Sequence, residues 1–374
     1  METSGHDLPT YDQPTEVIGT HPWSPSSLVR WIERIDPGTN RRIKGLRLVT
    51  AFGIAALLGT LPSISGGWHD GVSLSVLAGG FALWASVSEA RVIRWESSRD
   101  LALLCGAAVL GAAMMIGLSP LLAGHGKPGA ELTLAAGAFL VGYLKRYGVL
   151  GAGIGSQIYI GQLLAFGLRL TTTDFGMIGV AGLIAALAAI VPRLLSGPAE
   201  HPAVVLTTLP GDPQNSELPA LYMGLQAAAA AVIIVALNDA IGLTQSDWAI
   251  TASTYVVASS KAGTIERVRR RIIGTIIGVP LGLACLPVAD RVPILIWIAA
   301  AVAMVIYAVA LPERYDVACG AFAFTLVVTL AATGDHSFAT LASRGWETVI
   351  GGGVGAVAAM LIVPRGSSWN ARSL

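Results

Sequence analysis

Charged residues are scarce in this sequence: they make up 13% of its 374 residues, whereas 53% are hydrophobic. A soluble domain carries roughly 25% charged residues, so the composition excludes an ordinary soluble protein. The mean hydropathy is +0.66. The 44 glycines and the alanine-rich runs suit close helix packing in lipid. The sequence therefore predicts an all-α, polytopic membrane protein whose surroundings are the lipid bilayer.

Residues typical of several other protein classes are also missing. The three cysteines, Cys105, Cys285 and Cys319, lie in apolar runs without paired spacing, so we expect no disulfide framework and no metal site. The histidines lack ligand spacing, and nothing indicates a cofactor, nucleic-acid binding or an enzyme. A basic segment followed by an apolar core, as in a cleaved leader, is also lacking, so we expect the transmembrane helices themselves to direct insertion.

The amino-terminal tail, residues 1–44, contains one patterned segment. In SPSSLVRWIERIDPG, residues 24–38, the apolar residues recur at helical spacing between a Ser-Pro start signal and a Pro-Gly stop signal. This predicts a short amphipathic helix, which lies either on the membrane surface or against the rest of the protein.

Long apolar runs follow the tail. Twelve of them are predicted, near 46–63, 71–88, 101–123, 131–144, 147–168, 175–192, 220–238, 248–265, 272–288, 292–312, 316–333 and 340–363. Several are shorter than the roughly 20 residues that a straight span needs, so their number is a firmer expectation than their boundaries.

The cations are distributed unevenly between the two sides of this topology. All but four of the 24 Lys and Arg residues fall on one side; the four exceptions are Lys127, Arg169, Arg291 and Arg344. The positive-inside rule then places both termini in the cytoplasm, which an even number of helices allows.

An internal repeat organises the runs. KRYGVLGAGIGSQIYIGQLL at 145–164 is similar to ERYDVACGAFAFTLVVTL at 313–330, and AAIVPRLL at 188–195 is similar to AMLIVPRG at 359–366. We therefore predict about 12 transmembrane helices as two parallel six-helix repeats, 45–193 and 220–365. Residues 194–219 would be a cytoplasmic linker and 366–374 a cytoplasmic tail.

Two segments of the second repeat carry a family resemblance. RRIIGTIIGVPLG at 270–282 and RGWETVIGGGVGAVAAMLIVP at 344–364 resemble the FUSC-type membrane proteins, which include fusaric acid resistance proteins and aromatic acid exporters. The resemblance covers 219–364 and, more weakly, 45–193. It implies export of small organic or aromatic anions across the bacterial inner membrane.

Cations in or near the spans are the candidate substrate ligands, because an unpaired carboxylate is costly in the membrane. Lys261 belongs to a predicted span that also carries Thr254, and Arg271 opens the next predicted helix beside Gly274. Alternatively, that span ends at Ser260 and Lys261 reaches the headgroups. The basic cluster around Arg271 would then serve topology and helix packing.

A second candidate is a gate at the repeated Arg-Tyr motif. Arg146-Tyr147 and Arg314-Tyr315 occupy equivalent places in the two repeats, and Gln157 is one of the polar residues in the span that follows the first pair. Two such pairs facing each other would bind an aromatic carboxylate by stacking and charge pairing. Alternatively, they are interfacial anchors.

Arg344 and Glu347 lie three residues apart near the start of the last span. Either they neutralise each other, or Glu347 carries a proton, because a partly buried carboxylate can bind and release one at a useful pH. Asp70, Asp239 and Asp247 are rival carriers that we expect in outer loops.

We therefore predict an inner-membrane transporter that exports small organic or aromatic anions, coupled to protons. It would act as a homo-oligomer or with other efflux components. The alternatives are a passive organic-anion channel and, in another class, a membrane scaffold or envelope-assembly factor.

Overall fold

The computed structural model describes residues 40–66, 71–91, 93–122, 127–196, 218–289, 291–311, 313–332 and 337–362. This part of the chain contains twelve α-helices of eleven or more residues, and no strand is assigned within it. The helices are α1 (Asn40–Thr60), α2 (Gly71–Ser88), α3 (Arg94–Leu122), α4 (Lys127–Tyr143), α5 (Gly148–Gly167), α6 (Phe175–Leu195), α7 (Ala220–Ile241), α8 (Ser246–Val256), α9 (Lys261–Ala284), α10 (Pro293–Ala310), α11 (Tyr315–Ala332) and α12 (Phe338–Leu361). The predicted all-α class is confirmed.

Seven helical segments within the described ranges are long and apolar enough to cross a membrane. They are Arg41–Thr60, Arg94–Leu122, Pro128–Gly167, Thr172–Leu195, Ala220–Ile241, Lys261–Val288 and Pro293–Ala310. Ser73–Ser88 and Tyr315–Ala331 are shorter apolar helices, and neither α8 nor α12 belongs to either group. The helices therefore support a multi-pass membrane protein, while the number of twelve spans stays a prediction.

One predicted span is broken. The run 248–265 predicts a single helix, but α8 ends and α9 begins inside it. Val257 has extended backbone, and the hydroxyl of Ser260 accepts a hydrogen bond from the backbone nitrogen of Gly263, which caps a new helix. The single-helix prediction was wrong because hydropathy does not register such a local cap.

This break changes the position of two candidate site residues. Lys261 is the first residue of α9 and lies beyond the end of α8. Arg271 does not open a helix: it lies ten residues inside α9, about 15 Å along the axis at 1.5 Å per residue.

The helices of the two halves pack in equivalent pairs. The pairs α3–α5, α4–α5, α2–α6, α3–α6 and α1–α6 recur in the second half as α9–α11, α10–α11, α8–α12, α9–α12 and α7–α12. The contacts between halves are also matched, because α4 packs on α7 and α10 packs on α1. The two halves therefore have corresponding internal packing, as a duplication would produce.

Glycines allow the closest helix pairs to form. A Cβ on Gly274 or Gly278 of α9 would collide with backbone atoms of Asp316 or Gly320 in α11. In the equivalent pair of the first half, a Cβ on Gly111 would collide with the Ile158 carbonyl group. Because lipid provides no hydrophobic drive between helices, this close van der Waals packing is a main source of their association.

Several predictions lie outside the described residues. They concern the amphipathic helix at 24–38, most of the linker at 194–219, the tail at 366–374 and Asp70.

We expect Gly278→Val to destabilise the α9–α11 contact. The added side chain must displace the backbone of α11, and overpacking of this kind costs about 1–3 kcal/mol. The apparent melting temperature of the detergent-purified protein should therefore fall by a few degrees, measured by size-exclusion chromatography after heating. Gly353→Val is the matched control, because a Cβ there meets no atom within 4 Å. Equal losses in both variants would contradict the packing role of Gly278.

Candidate functional site

The arginines in the basic segment of α9 have different partners, and Arg267 donates to the carbonyl oxygen of Val257 at 3.1 Å. Arg269 and Arg270 both pair with Glu266, at 3.1 and 2.6 Å. Arg271 instead faces α11, where its Nη1 lies 3.4 Å from the hydroxyl oxygen of Tyr315. Among the described residues, no carboxylate pairs with Arg271. Its charge is therefore held by polar neighbours rather than by an acid.

Three half-buried tyrosines from three helices lie around Arg271. Tyr315 accepts its hydrogen bond, and Tyr255 of α8 and Tyr307 of α10 lie within electrostatic range of the guanidinium group. The hydroxyl of Tyr255 is also 2.7 Å from that of Ser156 in α5. Helices of both halves therefore contribute to the surroundings of Arg271.

The aromatic lining continues away from Arg271 through Phe322 of α11. The ring centroid of Phe322 lies 5.4 Å from that of Trp84, 6.2 Å from that of Trp248 and 6.3 Å from that of Tyr307. These separations are typical of favourable aromatic pairs. We call the following seven residues the Arg271–aromatic cluster: Arg271, Trp84, Trp248, Tyr255, Tyr307, Tyr315 and Phe322.

This cluster has the chemistry to bind an aromatic carboxylate. A guanidinium group binds a carboxylate through two parallel hydrogen bonds, and aromatic faces stack on a planar ring. All seven side chains are half-buried, so they keep part of their surface accessible. Tyrosine hydroxyls add donors for further oxygen atoms.

The two predicted Arg-Tyr pairs have different surroundings. Arg146 is exposed on a short 3₁₀ helix between α4 and α5, with its guanidinium carbon 4.6 and 4.5 Å from the ring centroids of Tyr143 and Tyr147. Arg314 is exposed and pairs with Asp316 at 2.9 Å. The hydrogen bond and the charge of Asp316 raise the pKa of Arg314 above its ordinary value. Tyr315, the residue after Arg314, belongs to the Arg271–aromatic cluster.

Three further predicted residues make no hydrogen bond to Arg271. Gln157 is buried and donates to the hydroxyl of Ser88 at 3.1 Å. Thr254 is buried and donates to a carbonyl oxygen of its own helix. Lys261 is half-buried at the start of α9. Of the predicted substrate ligands, the structure therefore brings Arg271 and Tyr315 together.

Arg344 and Glu347 both contact the start of α8. The guanidinium carbon of Arg344 lies 4.1 Å from the ring centroid of Trp248, and a carboxylate oxygen of Glu347 accepts a hydrogen bond of 2.7 Å from the backbone nitrogen of Gln245. Asp247, expected in a solvated outer loop, lies half-buried in the first turn of α8. The region around Glu347 is thus an interior contact between α8 and α12.

A separate group of cations lines a small cavity of about 10 Å³ in the first half. Lys44 donates to the carbonyl oxygen of Glu89 at 2.7 Å, and Arg47 lies 3.8 Å from the carboxylate of the same residue. Arg193 is buried and donates to the hydroxyl of Ser97 at 2.7 Å. These cations hold the carboxyl end of α2 and its following turn, which is a structural role.

Sequence reasoning missed most of the aromatic residues of the cluster. A sequence signal was available for Phe322, which lies in the middle of α11 rather than at one of its ends. Membrane aromatic residues concentrate at the interfaces, so aromatic residues deep in a span indicate another role.

The long apolar helices and the cationic aromatic cluster between them define a multi-pass α-helical membrane protein with a candidate site for small anions. Residues 224–358 match the family model described as fusaric acid resistance protein-like, which confirms the FUSC-type resemblance. The matched segment extends from α7 into α12 and includes Arg271, Tyr315, Phe322 and Arg344. No curated protein and no solved structure matches the chain.

Proposed function

We propose that this protein is an inner-membrane transporter that exports small organic anions carrying an aromatic ring. The observation that carries this proposal is the half-buried Arg271, which pairs with no described carboxylate and lies among three tyrosines, from which an aromatic lining continues through Phe322. The family match supports the transporter class.

The Arg271–aromatic cluster can replace the hydrogen bonds and charge stabilisation that an anion loses when it leaves water. A buried carboxylate without a partner costs several kcal/mol, and a guanidinium group offsets this through charge and paired hydrogen bonds. Arginine also stacks on aromatic rings. It keeps its charge when buried, whereas a buried lysine loses its proton more readily. Arg271 with its tyrosines therefore favours an aromatic carboxylate over an aliphatic one.

We further propose two parallel six-helix repeats with the substrate path at their contact. The equivalent helix pairs of the two halves support this architecture. The cluster draws Trp84 from the first half and its other members from the second, and Ser156 of the first half bonds to Tyr255. Transporters built from repeats often bind substrate where the repeats meet. Rocking of one half against the other would then open the cluster to each side in turn.

Orientation and coupling complete the proposal. Because 20 of the 24 Lys and Arg residues fall on one side of the predicted topology, both termini would be cytoplasmic. Proton coupling would use Glu347, whose carboxylate is buried beside α8. A passive channel would instead conduct anions without regard to a pH gradient.

We expect Arg271→Gln to weaken binding of an aromatic carboxylate such as benzoate by roughly 10- to 150-fold. This range corresponds to the about 1.5–3 kcal/mol of a hydrogen bond to a charged group. Binding is measured by tryptophan fluorescence of the purified protein, since Trp84 and Trp248 lie in the cluster, and transport by flux of labelled benzoate in proteoliposomes. Arg271→Lys should retain part of the affinity because it keeps the charge.

Arg269→Gln is the matched control, because Arg269 lies two residues away and pairs with Glu266 on the surface. Unchanged affinity and flux in Arg271→Gln, or an equal loss in Arg269→Gln, would contradict the assignment. Flux that does not depend on a pH gradient would favour a passive organic-anion channel. Absence of flux and binding in well-folded protein would favour a scaffold.

A second prediction concerns selectivity. Trp84→Leu removes one wall of the aromatic lining, so affinity for benzoate should fall by roughly 2- to 10-fold, as expected from about 0.5–1.5 kcal/mol per aromatic pair. Affinity for an aliphatic carboxylate of similar size should change less. Trp346→Leu is the control, because Trp346 is exposed on α12. Parallel losses for both ligands would argue against stacking on Trp84.

A further inference from the structure

A second arginine of α9 projects from the same side of the helix as Arg271. Arg267 lies four residues before Arg271, so the two side chains share one face and are about 6 Å apart along the helix axis. Tyr315 lies within electrostatic range of Arg267 and is the hydrogen-bond partner of Arg271. The Arg271–aromatic cluster therefore has another cation beside it, one helical turn nearer the start of α9.

Lys145 of the first half meets Arg267 at the break between α8 and α9. The carbonyl oxygen of Val257, the residue that follows α8, accepts hydrogen bonds from Nη1 of Arg267 at 3.1 Å and from Nζ of Lys145 at 3.5 Å. Two cations from different halves thus bind the same oxygen atom. Val257 is two residues after Tyr255, which belongs to the cluster, so these cations border the candidate substrate site.

Arg267 is held by a neutral oxygen atom rather than by an acid. The acidic residue beside it in sequence, Glu266, pairs instead with Arg269 and Arg270. Among the described residues, no carboxylate pairs with Arg267. A carboxylate bound at this place would supply a full negative charge, which the carbonyl oxygen lacks, and its two oxygen atoms would accept hydrogen bonds from both cations.

The position of the two cations suits a first contact with an anion. Lys145 and Arg267 are half-buried, and Arg146, which follows Lys145, is exposed. Both cations belong to the cation-rich side of the predicted topology, which would be cytoplasmic. An anion that leaves the cytoplasm would therefore meet Lys145 and Arg267 before it reaches Arg271. Cations at the entrance of a cleft also raise the rate at which anions associate with it.

We propose that Lys145 and Arg267 form an entry site, which binds the carboxylate of the substrate and delivers it to Arg271. This inference rests on the proposed transport function and adds a binding step to it. The carboxylate would replace the Val257 carbonyl oxygen as the partner of the two cations. It would then exchange Arg267 for Arg271, one turn further along α9. Because the two cations come from different halves, the anion would bridge the halves while it is bound there.

Association kinetics test the entry site. Stopped-flow tryptophan fluorescence of the full chain, in nanodiscs of zwitterionic lipid, follows benzoate binding. Arg267→Gln should lower the association rate constant roughly 3-fold at low salt, as expected when one unit charge about 7 Å from the anion is lost in water. The dissociation rate constant should stay near that of the wild type, because Arg271 is intact. High salt should reduce the difference, since ions screen the attraction.

The variants separate a binding role from a structural one. Glutamine keeps a hydrogen-bond donor for the Val257 carbonyl oxygen, so a purely structural role would change neither the association rate nor its salt dependence. Lys145→Gln should act like Arg267→Gln, and it provides the same test if that variant does not fold. Arg267→Lys keeps the charge and should retain the wild-type rate. Arg269→Gln is the matched control, because Arg269 pairs with Glu266 on the surface.

The outcomes distinguish the entry site from the proposed function. Equal association rates in Arg267→Gln and Arg269→Gln, with weaker benzoate binding in Arg271→Gln, would overturn the entry site and leave the proposed function standing. A folded wild type that neither binds nor transports benzoate would overturn both. An effect of Arg267→Gln that requires anionic lipid in the nanodiscs would assign the two cations to lipid headgroups and overturn the entry site.

Discussion

The close approach of α9 and α11 is the constraint on which the candidate site depends. Gly274 and Gly278 let the backbone of α9 lie against Asp316 and Gly320 of α11. Arg271 is three residues before Gly274 and therefore lies on the same face of α9. That face brings the guanidinium group to Tyr315. A contact between glycine residues of two helices thus sets the position of the charged side chain of Arg271. In lipid such a contact is maintained by packing rather than by the hydrophobic effect.

The short helix α8 contacts two buried glutamates at one end and contributes side chains to the Arg271–aromatic cluster. Its amino-terminal turn is held by Glu131 and Glu347, and its body presents Trp248 and Tyr255 to the Arg271–aromatic cluster. Eleven residues extend only about 16 Å, so the helix does not cross a bilayer alone. Irregular backbone on both sides of it is tolerated because neighbouring helices bury it and polar groups satisfy it.

The two halves share their packing but use their charges differently. In the first half, Lys44 and Arg193 hold the turn that follows α2, and both have protein oxygen atoms as partners. In the second half, Arg271 has a tyrosine hydroxyl as its partner and aromatic rings nearby. The equivalent helix packing thus holds structural cations in the first half and a candidate binding cation in the second half.

Composition and hydropathy alone determined the all-α membrane class and most of the helices, and the motifs of the second half indicated the family, because these properties are local to each segment. The charged and repeated motifs of the sequence also indicated Arg271, Tyr315 and Glu347 as candidate site residues. The division between α8 and α9 and the roles of Trp84, Phe322 and Glu131 depended on tertiary structure. Trp84 and Glu131 come from the first half, and their partners lie more than a hundred residues away in sequence. Periodicity identifies which face of a helix is apolar, but only the packing of the helices decides which residues meet across it.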